Sequence, residues 1–101
     1  MTLLAFGFGY TAAAFARRAG GRFAQVVGSV RSLDKAAALS GDGVVARLFP
    51  DAQGERALED DLATAEAILV SVPPGREGDP VLARFGQAIA AGPARWIGYL
   101  S

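Results

Sequence analysis

The sequence predicts a doubly wound α/β domain built on a parallel sheet of five strands in the order 3-2-1-4-5. Three observations predict it. Short apolar runs alternate with helix-favouring stretches from one end of the chain to the other. The runs are continuously apolar rather than alternating, as in strands covered on both faces. The first run also leads straight into a glycine turn, Gly7-Phe8-Gly9-Tyr10-Thr11-Ala12.

Residues 2–6 form the first expected strand. Residues 11–19 are Ala-rich and helix-favouring, and Gly20-Gly21 stops them. A second strand is expected over 23–30, and Ser32 is placed to cap a short helix over 33–39. The turn Ser40-Gly41-Asp42-Gly43 leads to a third strand over 44–49. After a loop at 50–54, residues 55–65 read as a helix with Leu58, Leu62 and Ala65 on one stripe. Residues 67–72 form the most apolar strand of the chain. A loop at 73–78 follows, and then Asp79-Pro80 supplies an N-cap with proline at the first helical position. Leu82, Phe85 and Ile89 mark the buried face of that helix, Gly92-Pro93 ends it, and residues 96–100 make a fifth strand. A doubly wound sheet ordinarily continues beyond five strands, so residues 1–101 read as the N-terminal part of a larger domain.

Composition narrows the function classes. The chain is 51% apolar, with ten basic and ten acidic residues, which suits one globular domain and gives no basic footprint for nucleic acid. It has no Cys and no His, which excludes disulfides, thiolate chemistry, His-built metal sites and a Ser-His-Asp relay. No apolar run approaches the roughly 20 residues of a membrane span. The start has no signal-peptide pattern, so the expected location is the cytoplasm.

The glycine turn has the form G-x-G-x-x-A between a strand and a helix, the signature of a Rossmann dinucleotide site. Gly7 lets the chain leave the strand in a tight turn. Gly9 lets the backbone approach a pyrophosphate, Ala12 lets the helix pack closely on the sheet, and the N–H groups opening the helix face the anion. The bland alternative is a plain strand-to-helix turn in a chain with 13 glycines. Its position within a βαβ unit of the right length favours the binding site.

The tip of the second strand selects the cofactor. NAD-preferring domains carry an acidic residue there, about 20 residues past the turn. Here the tip is Gly28-Ser29-Val30-Arg31-Ser32, with no carboxylate, and Asp34 lies too far into the next helix. Arg31 offers a planar fork of donors suited to a 2′-phosphate, and Ser32 adds a hydroxyl. NADP is therefore expected over NAD, although isolated arginines are commonly only solvated. Asp51, after the third strand, is a candidate acceptor for the adenine amino group or merely a turn former. Ser71, Val72 and Pro73 end the fourth strand beside the point where strand order reverses, where ligands collect in such sheets. Glu59-Asp60-Asp61 is read as a solvated helix face, and Trp96 and Tyr99 as core residues of the last strand.

Several segments recur together in one known family: Gly7-Phe8-Gly9-Tyr10, Arg31-Ser32 with Lys35-Ala36-Ala37-Ala38-Leu39, Val70-Ser71-Val72-Pro73-Pro74, Gly78-Asp79-Pro80, and Trp96-Ile97-Gly98-Tyr99-Leu100-Ser101. In that order they resemble the atypical short-chain dehydrogenase/reductase proteins, described as NAD-dependent epimerase/dehydratase, over the whole chain. The resemblance implies a Rossmann domain, an NAD(P) cofactor and a small-molecule substrate. It also implies proton transfer by a Ser or Thr after the fifth strand and by a Tyr-x-x-x-Lys pair. The chain departs from that pattern, because Ala14 stands four residues after Tyr10, nothing stands four after Tyr99, and Lys35 is the only lysine. No catalytic residue is therefore assigned, and the chemistry is expected downstream of a cofactor-binding N-terminal portion.

Two alternatives stand beside it. One is a non-catalytic Rossmann module that senses NADP. The other rests on Val72-Pro73-Pro74, which also resembles the cofactor domain of hydroxyacid-dehydrogenase-like or F420-dependent reductases. Apolar surface left uncovered at the end of a partial sheet favours a homo-oligomer.

Overall fold

A computed structural model describes the backbone of residues 2–7, 10–41, 43–49, 51–70 and 80–99, and their side chains except those of 10–12, 19, 20, 80–82 and 99. The elements, in chain order, are β1 (Thr2–Phe6), α1 (Tyr10–Ala19), a 3-10 turn (Gly20–Arg22), β2 (Gln25–Val30), α2 (Leu33–Gly41), β3 (Val45–Leu48), α3 (Ala52–Leu62), β4 (Ala67–Val70), α4 (Pro80–Ala91) and β5 (Trp96–Tyr99). All five strands are parallel and lie in the order β3-β2-β1-β4-β5, the doubly wound arrangement expected.

The two-residue period of the strands separates two cores. Leu4 and Phe6 of β1, with Val27, Ile68 and Val70 of its neighbours, face Leu58 and Leu62 of α3 and Phe85 and Ile89 of α4. Leu3, Ala5, Val30, Ala67 and Leu69 point the other way, toward Ala13, Phe15 and Ala16 of α1 and Ala36 and Leu39 of α2. Leu3 to Phe6 are fully buried, so the central strand is covered on both sides. Each such large apolar side chain contributes about 1.5–3 kcal/mol relative to exposure. On the α4 side Phe85 lies between Phe6 and Phe49, with ring centroids 5.3 and 5.4 Å away.

Several boundaries differ from the sequence expectation. The 3-10 turn and the residues after it delay β2 to Gln25, although Phe23 still packs against the sheet. Helix α2 runs on through Gly41, and α3 starts at Ala52 instead of Glu55 because Asp51 caps it. Ala65 is buried beside Leu58 and Leu62 but lies past the end of α3. Trp96 is not a core residue. It is 44% exposed, Ile97 on the opposite face of edge strand β5 is 41% exposed, and the indole stacks on Phe15 at 5.5 Å.

The acidic segment of α3 is not merely solvated. Asp61 accepts two hydrogen bonds from Arg47 of β3, at 2.9 and 3.1 Å. Arg84 of α4 donates to Glu55 and Glu59 at 2.7 and 2.6 Å. The Asp61 bond holds the Arg47 guanidinium above its usual titration range. A raised arginine pKa adds stability that is complete below the ordinary value and lost only as pH rises through the folded one, so this partner stays charged at neutral pH.

Gly54 is fixed by close approach. A Cβ there would fall on the Leu48 carbonyl, where α3 crosses the end of β3. Gly86, in α4, has open space around its Cβ position. Gly54→Ala is expected to lower unfolding free energy by about 1–3 kcal/mol, and Gly86→Ala to raise it by about 0.5–1 kcal/mol. Urea midpoints measured on the two variants check both signs.

Candidate functional site

Parallel pairing sends the carboxyl ends of all five strands to one edge of the sheet, where ligands of doubly wound folds bind. Gly7 leaves β1 with φ +77°, a left-handed conformation that favours glycine. Helix α1 begins three residues later, at Tyr10. The first four N–H groups of a helix have no intrahelical acceptor, and in α1 these include the backbone at Tyr10, Thr11 and Ala12. Phe8 and Gly9, the middle of the expected cradle, lie outside the described residues. So do Ser71, Val72 and Pro73, and with them the expected contacts after β4.

The Gly7 N–H itself is directed sideways, into the sheet. It donates to the Ser29 hydroxyl of β2 at 2.7 Å. Ser29 is 2% exposed, the sole buried polar side chain among the described residues. Sequence reasoning passes over it as part of the strand tip. The available signal is a hydroxyl in the buried half of an otherwise apolar strand, which needs a partner.

Arg31 directly follows β2, the neighbour of β1, and is exposed at the same edge of the sheet as Gly7. Ser32 caps α2, its Oγ accepting the Lys35 N–H at 3.2 Å. A serine hydroxyl that accepts one bond still has a proton to donate. The Arg31 guanidinium and the Ser32 hydroxyl are thus both able to donate. Asp51 serves the fold directly, because its Oδ2 accepts the Gly54 N–H at 2.9 Å and caps α3. That arrangement is the turn-forming role weighed for it, and nothing in it directs the carboxylate to an adenine.

The arrangement fits a dinucleotide. It has a glycine in a conformation other residues avoid, a helix start behind it, and an exposed guanidinium one strand away. Among the described residues no group of three or more His, Cys, Asp or Glu is placed to hold a metal ion. Among them, too, no helix is long and apolar enough to cross a membrane.

The chain is similar to a solved structure of unknown function. That structure is a functionally unknown conserved protein from Silicibacter pomeroyi DSS, 38% identical, superposing with a TM-score of 0.81 over 99% of this chain. The chain spans about a third of that protein's length, 34%. No protein-family model matches the chain, and no curated protein matches it.

The cap at Asp51 generates a test of its own. Asp51→Ala is expected to cost about 1 kcal/mol of stability, while Asp51→Asn, an equivalent cap, costs little. Thermal or urea unfolding of the two variants distinguishes them.

Proposed function

We propose that the chain binds NADP(H) and forms the cofactor-binding portion of an oxidoreductase or epimerase similar to the atypical short-chain dehydrogenase/reductase proteins. The observation that carries this reading is Gly7 at φ +77° between β1 and α1, beside the point where strand order reverses. The backbone opening α1 holds the pyrophosphate, and Arg31 with Ser32 binds the 2′-phosphate of the adenosine ribose. The bound nicotinamide supplies hydride transfer to or from a small-molecule substrate. No residue of this chain is assigned to the proton transfer, since no Tyr-x-x-x-Lys pair occurs in it. A cytoplasmic location goes with this reading.

The alternative is an NADP-binding module that reports cofactor state without turnover. NADPH consumption by the protein in the presence of a carbonyl or sugar-nucleotide substrate separates the two.

The cofactor assignment is tested by titrating Trp96 fluorescence with NADPH and NADH in parallel. NADPH is expected to bind more tightly. Arg31→Ala is expected to weaken NADPH by about 10- to 100-fold, the loss of one charge-assisted contact, and to leave NADH nearly unchanged. Equal affinity of the wild type for both cofactors removes the role given to Arg31. Failure to bind either removes the reading.

A further inference from the structure

We propose that Ser29 is a positioning residue of the dinucleotide site: its buried hydroxyl captures the Gly7 N–H and so sets the direction in which the chain leaves β1 toward the start of α1. The inference rests on the dinucleotide reading above and deepens it by assigning control of the pyrophosphate half of the site.

The argument begins with the cost of the hydroxyl. β2 packs Val27 and Val30 into opposite cores, and a branched apolar residue at position 29 would suit both burial and strand propensity. A buried hydroxyl is unfavourable there unless it is bonded. Its partner is 22 residues away in sequence, across the boundary between two strands. That partner is the positive-φ glycine that opens the turn.

Register explains how they meet. Ala5 pairs with Gly28, so Ser29 lies one step further along β2, level with the end of β1. The bond at 2.7 Å also bears on the donors open to an anion. The Gly7 N–H is engaged within the sheet, so the anion is left to the groups opening α1. Arg31 lies two residues beyond Ser29, just past the end of β2. One strand thus aims the turn with one side chain and leads directly to the residue that offers the 2′-phosphate contact. Phe6, just before Gly7, packs on the Phe85 ring of α4 with centroids 5.3 Å apart, so the residue preceding the turn is itself anchored in the core.

The test compares NADPH, which carries a pyrophosphate, with 2′-AMP, which carries only the 2′-phosphate end. Ser29→Ala is expected to weaken NADPH by about five- to tenfold while leaving 2′-AMP affinity unchanged. Ser29→Thr, which keeps the hydroxyl, is expected to restore NADPH binding. Ser29→Cys serves if the alanine variant does not fold, since it keeps the side chain's size but offers a poor acceptor, and it should behave as alanine does. A variant lacking the hydroxyl that binds NADPH as tightly as a wild type shown to bind it overturns this inference alone. Equal losses for NADPH and 2′-AMP overturn it too, because they indicate a general loosening of the fold. A wild type that binds neither ligand overturns the parent reading along with it.

Discussion

The complete burial of β1 on both faces is the constraint on which the remainder of the structure depends. A strand with solvent on one side can slip or tilt, whereas Leu3, Leu4, Ala5 and Phe6 are each locked into one of two opposed cores. A shift of one residue would exchange every side chain between faces of different shape. Gly7 is consequently delivered to a fixed place at the carboxyl edge. The helices that cover β1 are themselves tied down. α3 is held to β3 by the Arg47–Asp61 fork and to α4 by Arg84. These partly exposed pairs are modest in energy and add to the apolar contacts of α3 and α4 with the sheet.

The architecture was legible because it is written in periodicity and punctuation. Continuous apolar runs at residues 2–6 and 67–70 mark the central strands, and Pro80 opens α4 where proline at a helix start belongs. Boundaries were less legible where two local signals conflict. Gly54 lowers helix propensity, so the stretch before Glu55 reads as loop. Asp51 nevertheless caps a helix that needs a glycine against the Leu48 carbonyl. Tertiary contact overrode propensity there.

The candidate site was legible in the same uneven way. Gly7, Arg31 and Ser32 stand at one edge of the sheet as their sequence positions imply, because parallel pairing leaves them no alternative. Asp51 is engaged in capping, which its sequence context, a carboxylate three residues before a helical N–H, already allowed. Ser29 escapes a sequence reading because a bond across 22 residues leaves no local pattern; only its polarity within a buried strand hints at it. Trp96 reads as core because aromatic residues in strands usually are. On this edge strand the indole lies along its own strand over Gly98 and against Phe15, and stays 44% exposed.

That indole has a mechanical consequence. Trp96 and Phe15 stack nearly parallel, 5° apart, and Phe15 belongs to the helix whose amino end opens at the glycine turn. A helix moves as a rigid rod over so short a length, so a tilt at the turn displaces Phe15 and drags one ring across the other. Edge strand β5 is therefore joined to the middle of α1 by this pair of rings, and the indole that stands there is the chain's one tryptophan.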